Sequence, residues 1–127
     1  MLIIDSRSST PIYEQIIIGV KELILKGIVK PGDKLPSIRE LSTILTINPN
    51  TVSKAYGELE SDNIVETIKG KGTFVSDKYE KKASEDKKSK LIIDIKRLIL
   101  EANYLGIEEN DLILLLSEGF KEIRGGI

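Results

Sequence analysis

The chain has 127 residues, 40% of them hydrophobic and 31% charged, with 19 basic and 20 acidic side chains and a net charge of −1. That length allows one domain or a small domain with an appendage, and the scarcity of aromatics leaves the core to Ile, Leu and Val. Without Cys there is no disulfide, thiolate zinc site or cysteine nucleophile, and without His the usual general base and the commonest metal ligand are gone. A cytoplasmic protein with no metal, no cofactor and no catalytic role is the expectation. Asp5 and Arg7 interrupt the only apolar run near the start, so no signal peptide is read there. No apolar stretch approaches the length of a bilayer span, and no membrane partner is expected. Up to Ser76 there are 9 basic and 9 acidic groups, and beyond it 10 and 11. Any positive charge offered to a nucleic acid must therefore be local.

Pro11 to Gly27 reads as the first helix, with Thr10 as its cap, Pro11 at its first position and Gly27 just past its end. Ile12, Tyr13, Ile16, Ile17, Val20, Leu23 and Ile24 recur at three- and four-residue spacing and form one broad apolar face. Ile18 and Leu25 lie on another side, which points to a further helix packing there; two scattered exposed apolar residues are the plainer reading. Lys30-Pro31-Gly32-Asp33 is a turn, and Lys34-Leu35 add a short strand.

Ser37 to Leu45 forms the second helix, opened by a capping box of Ser37 and Glu40. Thr46-Ile47 turns the chain, Asn48 caps the third helix, Pro49 takes its first position, and the helix runs to about Ser61. Ile64–Ile68 and Thr73–Ser76 have strand composition and flank a Lys-Gly-Lys-Gly tip, the pattern of a hairpin. Residues 77–90 are highly charged and hold no large aliphatic side chain, with 77–86 as a solvated linker and Ser84 a candidate cap before Glu85 and Asp86.

A helical segment over 87–124 follows. Leu91, Ile95, Leu98, Ala102 and Leu105 step by four, three, four and three, a coiled-coil-like seam, with Ile93, Leu100 and Tyr104 on the far side. Gly106 ends that helix, and Glu108, Glu109 and Asp111 suit the start of the last one, which carries Leu112–Leu116, Phe120 and Ile123. Two helices this apolar cannot hide their surface in each other alone. They call for the preceding domain, a second copy of the chain, or both. Leu91, Ile95, Leu98, Ala102, Leu105, Leu112, Leu116 and Phe120 are the candidate dimerisation residues.

Two capped helices separated by a three-residue turn, then a basic hairpin, match a winged helix-turn-helix, which places one helix in the DNA major groove. On the third helix Val52, Ala55, Tyr56 and Leu59 face the core, while Asn50, Ser53, Lys54 and Gly57 face out. Asn can pair with adenine in bidentate fashion, Ser and Thr serve several bases, and Gly57 leaves the backbone uncovered. A solvated helix face would also be polar. Arg39, in the first turn of the second helix, could grip a phosphate or form a surface ion pair. Lys69, Gly70, Lys71 and Gly72 put two ammonium groups on a slim turn suited to the minor groove, although lysine-bearing turns without DNA are frequent. Tyr56 completes the apolar period and is assigned to the core.

Leu35-Pro36-Ser37-Ile38-Arg39-Glu40-Leu41, Asn48-Pro49-Asn50-Thr51-Val52-Ser53-Lys54-Ala55-Tyr56 and Gly70-Lys71-Gly72-Thr73-Phe74-Val75 together resemble the GntR family of bacterial regulators. Thr10-Pro11-Ile12-Tyr13-Glu14-Gln15-Ile16 resembles it too. The likeness covers roughly 9–76, and the short helical remainder is similar to the YtrA subfamily. The resemblance implies DNA contacts from Arg39, Asn50, Thr51, Ser53 and Lys54, and minor-groove contacts from Lys69, Gly70, Lys71 and Gly72. It implies dimerisation through the two C-terminal helices and regulated genes that often include ABC transporters. The chain departs from the family pattern twice. Thr46 stands where a turn glycine is common, at a cost on the order of 1 kcal/mol or more if φ is positive. Gly57 stands where a longer or basic residue is frequent.

The expected architecture is thus mostly α with a small β-hairpin: a winged domain over 9–76, a linker and a two-helix dimerisation segment. The expected function is that of a homodimeric, sequence-specific DNA-binding regulator, a repressor on an inverted-repeat operator with double-stranded DNA as partner. A winged protein-interaction module without specific DNA binding is the alternative, favoured by the near-neutral charge. No effector is named by the residues, since two short helices leave little room for a cavity of about 300 Å³ or more.

Overall fold

The computed structural model describes residues 2–77 and 85–124, and the chain divides into two compact units, Met1–Tyr79 and Glu80–Ile127. The first contains α1 (Ile12–Leu25), β1 (Lys34–Leu35), α2 (Ile38–Leu45), α3 (Pro49–Ser61), β2 (Val65–Ile68) and β3 (Gly72–Val75). The second contains α4 (Glu85–Tyr104) and α5 (Glu109–Ile123). The fold is mostly helical: a winged helix-turn-helix followed by two helices.

α1 opens one residue later than its sequence implies. Pro11 is the capping residue, with ψ 147°, and no side chain bonds the helix end, so Thr10 is not the cap. Gln15 does the fastening instead. Its amide donates to the Asp5 and Thr10 carbonyls and its carbonyl accepts from the Asp5 N–H, tying the N-terminal segment to α1. Leu2 then fills the space a Cβ at Gly19 would take, and Leu2 and Ile4 join the edge of the core. Ile18 and Leu25 stay exposed, at 48% and 39%.

The Pro31-Gly32 turn closes with the Asp33 N–H on the Lys30 carbonyl at 2.9 Å, Gly32 supplying φ +88°. Gly32 N–H to Val75 O and Val75 N–H to Asp33 O, both 2.8 Å, pin this turn onto β3. β1 consequently pairs antiparallel with β3, Lys34 opposite Phe74, and the wing is a three-stranded sheet in the order β1-β3-β2. Val65 faces Val75 and Ile68 faces Gly72 across the hairpin.

The core gathers Ile16, Ile17 and Val20 of α1, Leu41 of α2, Val52, Ala55, Tyr56 and Leu59 of α3, and Leu35, Ile64, Val65 and Val75. Each helix supplies the three- and four-spaced stripe that its period brings to one side. Fully burying one such Val, Leu or Ile contributes about 1.5–3 kcal/mol, which is what fixes α3 against α1 and α2.

In the second unit α4 starts at Glu85, so the charged residues 85–90 are helical. Glu85 and Asp86 sit at the positive end of the helix, and Glu85 pairs with Lys88 at 3.8 Å. Residues 78–84, including most of the expected linker and the Ser84 cap, lie outside the described residues. Gly106, at φ +83°, ends α4.

Candidate nucleic-acid interface

The two helices that present the site are set by their first residues. The Ser37 hydroxyl accepts from the Glu40 N–H at 3.0 Å, and the Glu40 carboxylate accepts from the Ser37 N–H at 3.1 Å. The Ser37 backbone N–H, then its hydroxyl, hold the Glu40 carboxyl below its usual range. Two of the orphan donors at the start of α2 are thereby satisfied. Thr46 ends α2 in the left-handed region at φ 54°, ψ 51°, and Asn48 Oδ1 then accepts the Asn50 N–H at 2.8 Å to start α3, with Pro49 in its first turn. A β-branched residue in that left-handed position stores strain, and the tight turn between α2 and α3 requires it.

α3 buries Val52, Ala55, Tyr56 and Leu59 and exposes Asn50, Ser53, Lys54 and Gly57, with Thr51 half-buried. A Cβ at Gly57 would meet nothing within 4 Å, so that side of the helix is open to close approach. The Tyr56 hydroxyl donates to the Pro36 carbonyl at 2.7 Å, and burial pushes its phenol up to about 12; Tyr56 is a core residue. Glu58, Glu60 and Asp62 follow at the negative end of the helix. Phosphates are repelled there and attracted to the other end, so α3 approaches a duplex along its outer face up to Gly57 rather than with its last turn.

Arg39 is the second residue of α2 and is exposed. Among the described residues its guanidinium has no carboxylate partner, so the surface ion pair considered from sequence is not formed. At the wing tip Lys71 N–H donates to Ile68 O at 2.9 Å, closing a turn in which Gly70 has φ +80°. Gly72 follows at φ +124°. Lys69 and Lys71 are exposed, and no described carboxylate pairs with either. The two glycines supply backbone angles that other residues resist, and the two lysines supply the charge.

Two participants escape a reading of the sequence: Lys34 at the wing and Tyr13 beside Lys54. Lys34 lies across the wing, its Cε 2.9 Å from where a Gly72 Cβ would stand, which adds a third ammonium group beside the tip. In β1 Leu35 is buried and Lys34 faces out. Lys54 does not project freely: its Nζ sits 3.9 Å from the centre of the Tyr13 ring. The Tyr13 hydroxyl donates to Glu14 Oε1 at 3.2 Å, and partial burial, with Glu14 close by, raises its pKa.

In the second unit Leu91, Ile95, Leu98, Leu105, Leu116 and Phe120 are exposed, Leu112 is half-buried and Ala102 is buried. α4 and α5 make little close contact with each other compared with α1 and α3. Between them lies a cleft of about 600 Å³, lined by Ile99, Ala102, Leu112, Ile113 and Leu116 among others. This is an open groove rather than an enclosed cavity. Among the described residues no helix is long and apolar enough to cross a membrane.

Comparison with known proteins identifies the architecture. Residues 12–75 match the family described as bacterial regulatory proteins, gntR family. The chain is 52% identical over 126 residues to the HTH-type transcriptional repressor YtrA of Bacillus subtilis (strain 168), covering 99% of this chain and 97% of that one. A crystal structure of a transcriptional antiterminator from Listeria monocytogenes EGD-e superposes with a TM-score of 0.92 at 41% identity, covering 99% of this chain and 94% of that one. The DNA-binding domain of AraR, solved in complex with operator ORX1, superposes with a TM-score of 0.53 at 28% identity, over 58% of this chain and 93% of that one. The chain belongs to the GntR family of bacterial regulatory proteins and is a DNA-binding transcriptional regulator.

Proposed function

We propose that the protein is a homodimeric repressor that binds an inverted-repeat operator in double-stranded DNA. Two copies of α3, related by a twofold axis, enter successive major grooves about 34 Å apart. Asn50, Thr51 and Ser53 address base edges, Lys54 and Arg39 take phosphates, and Lys69 and Lys71 carry the wing to the minor groove with Gly70 and Gly72 shaping it. The observation that carries this reading is the bare outer face of α3, open at Gly57, together with the exposed cations Arg39, Lys69 and Lys71, none of which pairs with a described carboxylate. The repressor name of the Bacillus relative and the operator complex of the AraR domain support it.

The exposed apolar surface of α4 and α5 supports the dimer. Large aliphatic side chains such as Leu98 (60% exposed) and Leu105 (75%) cover both helices, more than an isolated domain leaves in water. A second copy, presenting the same surface, buries it by symmetry.

Gel retardation with the protein's own promoter tests the reading. Binding should fall steeply between about 50 and 200 mM salt, as phosphate contacts release counterions. An RNA duplex should not compete, because its deep, narrow major groove does not admit a helix. A complex indifferent to salt, or formed equally with a protein partner and no DNA, would favour an interaction module instead. Fragments retained from the source genome would identify the operator by sequencing.

A further inference from the structure

We infer that Tyr13 is a positioning residue for DNA binding: its ring holds the Lys54 ammonium on the α1 flank of α3, making Lys54 a phosphate contact rather than a base reader. This rests on the proposal that the outer face of α3 meets the duplex. At 3.6 residues per turn, Lys54 lies about 40° around the helix from Asn50, and Glu58 about 40° further the same way. Both therefore leave the centre of the outer face and approach α1. The observed contact agrees: the Lys54 Nζ rests 3.9 Å from the Tyr13 ring centre.

A ring under one side of an ammonium leaves its remaining N–H groups turned outward. A flexible four-carbon stem is thereby ordered before DNA arrives, which removes part of the entropic cost of the contact. The same anchorage draws the charge away from Asn50, Ser53 and Gly57, leaving base edges to those small residues. Lys54 then adds affinity without sequence preference.

Full-length protein is titrated with a duplex carrying its own promoter and with an unrelated duplex of equal length, across a range of salt. Tyr13→Leu, which keeps apolar volume but no ring, should weaken both by the same factor, about three- to fivefold. The slope of log affinity against log salt should become shallower by up to about 1. Tyr13→Phe, which keeps the ring, should restore both quantities. A loss confined to the promoter duplex, or no change in either, overturns the assignment. If Lys54→Ala is also silent, the DNA-facing reading of α3 falls with it; if only Lys54→Ala weakens binding, the positioning role alone falls. Should Tyr13→Leu not fold, the Lys54 ε-methylene protons of the wild type decide the matter by NMR. Ring-current shifts upfield are expected, and random-coil positions would refute the contact.

Discussion

The Tyr56 hydroxyl donates to the Pro36 carbonyl at 2.7 Å, and through that bond the middle of α3 is tied to the residue just before the α2 cap. Tyr56 is only 5% exposed. The bond satisfies a buried donor and fixes how α3 sits beside α2.

Tyr56→Phe should therefore lower stability by about 1–2 kcal/mol, since the Pro36 carbonyl is left without its partner. The same pair gives a pH signature. Because the folded-state phenol is raised from 10.0 to about 12, the unfolded chain loses its proton first as pH rises. The contribution is fully present below about pH 10 and is lost as pH climbs to about 12, at most about 1.4 kcal/mol per unit. Denaturant titrations at pH 8 and at several values up to 11.5 should show the wild type losing stability faster than Tyr56→Phe. Parallel curves would mean that Tyr56 titrates no differently folded and unfolded.

Thr46 occupies a left-handed conformation, at φ 54° and ψ 51°, that costs an L-residue roughly 1–2 kcal/mol. Thr46→Gly should relieve most of that, less the extra freedom glycine gives the unfolded chain, for a net gain of about 1 kcal/mol. Asn63, the other described non-glycine residue with positive φ, at 59°, is of a type that tolerates the region and offers no such gain. The check is a urea midpoint that moves up with unchanged slope. A lower midpoint would mean that the threonine side chain holds the turn in a way its dihedral angles do not reveal.

The turn and both helices around it were legible because their signals are local. Ser37 with Glu40, and Asn48 with Pro49, state helix starts within four residues, and the core period of Val52, Ala55, Tyr56 and Leu59 states which way α3 faces. What escaped depends on packing between distant segments. Lys34 comes beside Gly72 only because a two-residue strand, too short to show a period, pairs with β3. Lys54 meets Tyr13 only because α1 lies against α3. The start of α4 is only partly legible: Ser84 before Glu85 and Asp86 offers a helix start, but residues 85–90 carry no apolar residue to set that helix apart from a linker.

Gly57 makes two effects oppose each other. Its Cβ position is empty, so Gly57→Ala should raise stability by about 1 kcal/mol through helix propensity alone. If a duplex approaches the backbone there, the added methyl should weaken promoter binding severalfold. Thermal melts and gel retardation on the same preparation would show a protein that is firmer yet binds less well. Gain of stability with unchanged affinity would place the duplex elsewhere on α3.

The last expectation concerns assembly. Leu98 is 60% exposed in a single chain, so an aspartate there disturbs little of the protomer's own packing. In a dimer seam the same carboxylate would be desolvated against apolar side chains, at a cost of several kcal/mol. Leu98→Asp should accordingly run as a 14.1 kDa monomer in light scattering, or lose the helical signal of α4 and α5. The winged unit should remain folded, because its core draws on none of those residues. Promoter binding should weaken sharply, since two half-sites are then met one at a time. An intact dimer of Leu98→Asp would move the interface away from this stripe, to the far side of α4 that Ile93, Leu100 and Tyr104 leave equally bare.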